Sequence, residues 1–225
     1  MVEHILDEAH EPDLPDEGAH PQLVTGLSAA EAIERLRQGN RAYLVSHENT
    51  GDISLDTVQR LFAEGQAPFA CVVTCADSRV VPEHIFMTGL GELFTIRVAG
   101  NVVGNMELAS VLYAAEHLGT KLVLVLGHTH CGAVEAGMEL AAAAAAQNGA
   151  PDLPAAIRPL AEAVAAAIGS NRDPYEAALL NAQASAAVIE SDPDIAHLIH
   201  DANLAVHVAI YHTHSGEVEF LAGNR

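Results

Sequence analysis

A chain of 225 residues, half of them hydrophobic, is long enough to bury a sizeable core and fits one domain with appendages. Its net charge of −20 argues against nucleic acid or an anionic membrane as partner, because phosphate contacts need clustered Lys and Arg. No apolar run reaches the 18 residues of a membrane span, and three cysteines, an odd number, cannot all close into internal disulfides.

The first 20 residues hold seven acids and no Lys or Arg, so residues 1–25 read as an acidic, disordered extension ahead of a single domain over 26–225. This start also lacks the basic region and long apolar segment of a signal peptide, which predicts a cytoplasmic location. In LSAAEAIERLRQGNRAYL, Ser28 and Glu31 stand at capping-box spacing, and Ile33, Leu36 and Tyr43 recur at helical intervals. A first helix over about 28–45 follows. The runs 68–75 (PFACVVTC), 93–98 (LFTIRV) and 121–127 (KLVLVLG) are short, β-rich and nearly continuously apolar, as strands covered on both faces must be. They predict a parallel sheet. Between the last two, NMELASVLYAAEHLG reads as a helix with Asn105 as N-cap and Gly119 as stop, giving a right-handed strand–helix–strand crossover.

After Cys131 the Ala-rich stretch to Asn148-Gly149 is helical by propensity. PAAIRPLAEAVAAAIG and DPYEAALLNAQASAAVIE give two more helices, the second capped by Asp173 with Pro174 at its first position. The terminal LAVHVAIYHTHSGEVEFLA reads as a strand, a tight turn at Ser215-Gly216 and a return strand. The expected class is α/β: a parallel core sheet flanked by helices, with a C-terminal antiparallel hairpin strand.

Ligands of open α/β sheets gather at the carboxyl ends of strands. Cys75 ends the first strand, His128 follows the third, and Cys131 lies at the start of the next helix, where a thiolate gains from the helix N-terminus. Two thiolates and one imidazole at one sheet edge suit a zinc ion with a vacant fourth position. The remaining thiol, Cys71, would lie about 13 Å from Cys75 at ~3.3 Å per strand residue. Cys71 is therefore read as a packed core residue.

CADSR (75–79), GHTHCGA (127–133) and the IRVAGN between them resemble the β-class carbonic anhydrases, whose signatures are C-x-D-x-R and H-x-x-C. The similarity covers roughly 28–139 and extends more loosely to the C-terminal hairpin. It implies Cys75, His128 and Cys131 as ligands of Zn2+, and Asp77 with Arg79 as a catalytic dyad. It further implies reversible hydration of CO2 to bicarbonate and a proton by water activated on zinc. Arg79 would hold Asp77 ionised in a bidentate pair. Gln66, nine residues before Cys75, matches a glutamine that lines open, plant-like sites and would bind bicarbonate. The family is built on dimers, so a homodimer or a tetramer is expected. In one branch the aspartate moves onto the zinc, a state tied to a bicarbonate site using a tryptophan three residues before the first cysteine; here that position is Val72, and the chain has no Trp.

Arg97 and Asn101 are expected to hold the loop under the metal site, with Gly100 permitting its backbone angles. His130, His212 and His214 are read as surface residues, and Glu83 and His84 as a helix start. Two rival functions remain from the residues: hydrolysis of carbonyl sulfide or carbon disulfide on the same scaffold, and a non-enzymatic zinc or thiol redox sensor, which leaves Asp77 and Arg79 without a task.

Overall fold

The computed structural model describes residues 26–46, 48–146 and 152–221. The acidic segment 1–25 and the Asn148-Gly149 stop lie outside these residues. Helix α1 (Ala29–Val45) begins with the expected capping box, the Ser28 side chain accepting from the Glu31 N–H while the Glu31 carboxylate accepts from the Ser28 N–H. There follow α2 (Leu55–Glu64), β1 (Ala70–Thr74), α3 (Pro82–Ile85), β2 (Leu93–Arg97), a 3-10 turn (Ala99–Asn101), α4 (Asn105–Glu116), β3 (Leu122–His128) and α5 (Gly132–Ala145). The chain continues through α6 (Arg158–Ile168), α7 (Pro174–Ser191), α8 (Pro193–Asp201), β4 (Ala205–Tyr211) and β5 (Val218–Phe220).

The five strands form one sheet in the order β2-β1-β3-β4-β5. All neighbours run parallel except β5, which is antiparallel to β4, as the apolar runs and the terminal hairpin predicted. The segment from β2 through α4 to β3 does not join neighbours: β1 lies between them and pairs with both. The predicted cap of α4 shifts by one residue, to Gly104, whose N–H donates to Glu107 at 3.0 Å while Asn105 becomes the first helical residue.

Every residue of β1 and β3 is buried. Because strand side chains alternate, each strand feeds two cores. Val72, Leu122, Leu124 and Leu126 join Leu36 of α1 and Phe86 on one face, whereas Cys71, Val73, Val123 and Val125 join Val111 of α4 and Ala182, Ile189 and Ile195 of α7 and α8 on the other. Cys71 is a fully buried core thiol, as read from its spacing, and burial pushes its pKa up to about 12. Two helices carry no element in the sequence reading, although Ser54 caps α2 and Asp192 followed by Pro193 starts α8. Among the described residues, no helix is long and apolar enough to cross a membrane.

Candidate metal centre

The carboxyl edge of the sheet collects the three predicted ligands. Cys75 follows β1, His128 ends β3 on the adjacent strand, and Cys131 is the N-cap of α5. Their ligand atoms all lie within 4.8 Å of one another, and the two Sγ atoms are 3.9 Å apart. All three residues are buried, with exposures of 4%, 1% and 4%.

The donor chemistry fits a metal cation. His128 Nδ1 is 2.9 Å from the Thr129 carbonyl oxygen, which can only accept, so Nδ1 carries the proton and Nε2 presents its lone pair. Among the described residues the buried Nε2 has no hydrogen-bond partner, a costly state that a metal ion would remove. The two sulfurs share a hydrogen bond, and the N–H groups of Asp77 and Gly100 point at the Cys75 sulfur from 3.4 and 3.3 Å, which favours the thiolate on Cys75. The Cys75 pKa is lowered, first by its hydrogen bond with Cys131, while that same contact and burial push Cys131 up. One proton is shared between two sulfurs, so these opposite shifts describe a single event.

Asp77 and Arg79 meet as expected. Arg79 Nε and Nη2 donate to the two carboxylate oxygens of Asp77 at 3.0 and 2.7 Å, and the Arg79 N–H adds a bond to Oδ1 at 2.9 Å. These charge-assisted bonds hold the Asp77 carboxyl well below the usual carboxylate range, against its partial burial. Arg79 Nη2 also donates to the His130 carbonyl at 2.9 Å, tying the dyad to the residue before Cys131. The Asp77 carboxylate faces Arg79, the arrangement in which it is free of the metal ligands.

Arg97 supports this loop as expected, donating to the carbonyls of Cys75 (3.3 Å) and Asp77 (2.7 Å). Gly100 has φ +66°, and a Cβ there would stand 2.9 Å from the Ala133 Cβ, so the position needs glycine twice over. Sequence reasoning missed what holds Gly100 and Asn101 from behind: Asn181 donates to the Gly100 carbonyl at 2.7 Å and Ser185 to the Asn101 carbonyl at 2.8 Å. The available signal was two polar residues four apart on the buried face of α7.

Gln66 is not brought to the centre within one chain. It is exposed in the loop before β1, at the end of that strand opposite Cys75. His130 is exposed with φ +58°, and His212 pairs with Glu219 at 3.2 Å against the Tyr175 ring. Glu83 lies in the first turn of α3 and accepts from Thr95 at 2.7 Å.

An open sheet with a parallel core, carrying two thiols, an imidazole and an aspartate–arginine pair at its carboxyl edge, defines an α/β protein whose grouped side chains could hold a metal ion. The sequence profile described as "Carbonic anhydrase" matches residues 70–218. A carbonic anhydrase of Pseudomonas aeruginosa is 36% identical over 176 residues, covering 72% of this chain and 76% of that protein. Carbonic anhydrase 2 of Mycobacterium tuberculosis is 41% identical over 107 residues, 48% of this chain and 51% of the relative. The chain thus spans about half the length of the curated relatives it matches first. The solved structure of the β-carbonic anhydrase CcaA superposes with a TM-score of 0.62 at 26% identity, covering 86% of this chain and 91% of that one. The chain belongs to the carbonic anhydrase family, in its β class.

Proposed function

We propose that this chain is a zinc-dependent carbonic anhydrase that interconverts CO2 and water with bicarbonate and a proton, with Cys75, His128 and Cys131 as the metal ligands. The observation that carries this reading is the buried Nε2 of His128, without a hydrogen-bond partner among the described residues, beside the two cysteine sulfurs. Zinc bound by these groups supplies a Lewis acid that makes a water nucleophilic near neutral pH.

The chain's own residues do the rest. Asp77 stays ionised because both of its oxygens accept from Arg79, and Oδ2, which takes a single donor where Oδ1 takes two, keeps a lone pair. That carboxylate accepts the hydrogen bond of the attacking water and so turns the water's lone pair toward the CO2 carbon. Arg79, tethered to the His130 carbonyl, fixes the angle at which Asp77 does this.

Association with further copies is part of the proposal. The exposed face of α2 carries Leu55, Val58 and Phe62, continued by Ile53, and a stripe of this kind is characteristic of an interface. A homodimer or tetramer covers it, and Gln66 can contact bicarbonate only from a neighbouring copy. A cytoplasmic location completes the reading.

The test is stopped-flow CO2 hydration by the zinc-loaded chain across about pH 6.5 to 9, a range bracketing the pKa of zinc-activated water. Turnover that rises toward high pH is expected. No turnover at any pH with one zinc bound per chain sinks the reading, and parallel assays with carbonyl sulfide and carbon disulfide then decide among the alternatives.

A further inference from the structure

The Thr129 carbonyl accepts two hydrogen bonds, and they arrive from different parts of the chain. His128 Nδ1 donates to it at 2.9 Å, and Thr213 Oγ1, at the start of the β4–β5 hairpin, approaches it at 3.3 Å. Thr129 is gripped by the same segment at three more points. Its N–H donates to the Tyr211 carbonyl at 3.0 Å, its Oγ1 accepts from the Thr213 N–H at 3.1 Å, and the two hydroxyl oxygens are 3.1 Å apart. The protons run one way without conflict: the Thr129 hydroxyl donates to Thr213 Oγ1, the Thr213 hydroxyl donates to the Thr129 carbonyl, and the His128 imidazole donates to that same carbonyl.

We propose that Thr213 is a positioning residue for the metal ligand His128, acting through the Thr129 carbonyl. The inference rests on the metal-centre reading above. The ring of His128 can rotate about its side-chain bonds unless Nδ1–H is anchored, and the anchor is only as rigid as the carbonyl that receives it. The Thr213 hydroxyl occupies the carbonyl's second lone pair and so removes its freedom to turn away from the ring. Nε2 is then aimed at the two sulfurs before a metal arrives, so less ordering remains to be done on binding. A threonine that served the hairpin alone would have its hydroxyl satisfied locally, within 212–217, whereas this one reaches back to residue 129.

The experiment is zinc affinity by competition with a chromophoric chelator, on the full chain, for wild type, Thr213→Val, Thr213→Ala and Thr213→Ser. Valine is isosteric and removes only the hydroxyl; alanine guards against a valine variant that fails to fold. Both are expected to raise the zinc dissociation constant about tenfold, the usual scale for outer-sphere partners. Serine, which keeps the hydroxyl, is expected to match wild type. The thermal midpoint of the metal-free chain is expected to fall by only about 2–4 °C, as for one hydrogen bond in a chain of this size. Wild-type affinity in the folded valine or alanine variant overturns the proposal, as does a serine variant as weak as valine. A wild-type chain that fails to take up one zinc overturns the metal-centre reading itself, a result distinct from either.

Discussion

The side-chain amide of Asn181 donates to the carbonyl of Gly100 at 2.7 Å, and the N–H of that same glycine reaches the Cys75 sulfur at 3.3 Å. A buried residue of α7 thereby sets the position of a donor aimed at a candidate metal ligand. Asn181→Ala leaves the Gly100 carbonyl buried without its partner, at a cost of about 1–3 kcal/mol. Urea unfolding of the metal-free chain checks the expected loss, and a wild-type midpoint would refute the linkage.

Asp77→Asn keeps the size of the side chain and removes its charge, so the bidentate bond with Arg79 is lost. CO2 hydration is expected to fall about a hundredfold or more, the scale of a positioned proton acceptor, with zinc content unchanged. Arg79→Lys, which cannot form the fork, should lower the rate less but in the same direction. Equal rates for D77N and wild type would remove Asp77 from the reaction.

Gly39 packs its backbone against the end of α3: a Cβ at this position would stand 1.9 Å from the Phe86 carbonyl oxygen. Alanine gains about 1 kcal/mol of helix propensity, but overpacking against a backbone atom costs about 1–3 kcal/mol. Gly39→Ala is therefore expected to lower stability, read as a lower denaturant midpoint; an unchanged or higher one would show that α1 can shift freely.

Thiol labelling separates the three cysteines. In the zinc-loaded chain at pH 8 none is expected to react with an aromatic disulfide. After chelation Cys75, whose pKa is lowered, should react first, while Cys71, with 0% exposure and a pKa pushed up to about 12, should stay unlabelled until the chain unfolds. Labelling of Cys71 in the native chain, located by peptide mass, would contradict its place in the core.

The strands and the gathering of Cys75, His128 and Cys131 were legible because both rest on local signals. A run such as KLVLVLG has one stable environment, between two helical layers, and Cys75, His128 and Cys131 stand beside strand ends that the same runs mark. What escaped the sequence is non-local. Asn40 donates to the carbonyls of Ile85 and Gly216 and accepts from the Val218 N–H, joining α1 to the hairpin, yet nothing in RQGNRAYL distinguishes it from a surface asparagine. Asn181, Ser185 and Thr213 act through backbone carbonyls far away in the chain, and a carbonyl carries no sequence signature. Gln66 is a different case: its residue type matched a family pattern, but its place at the far end of β1 leaves any role to a second copy.

The sheet places Cys75 just after β1 and His128 at the end of the neighbouring β3, in a pairing that sets Thr74 opposite Leu126. A chain emerging from the ribosome has its first thiol long before its imidazole, and a slip of one residue between β1 and β3 would turn the His128 side chain to the other face. On the proposed reading, metal capture is thus a checkpoint on maturation: the ion is retained only by a molecule whose central strands have already aligned correctly.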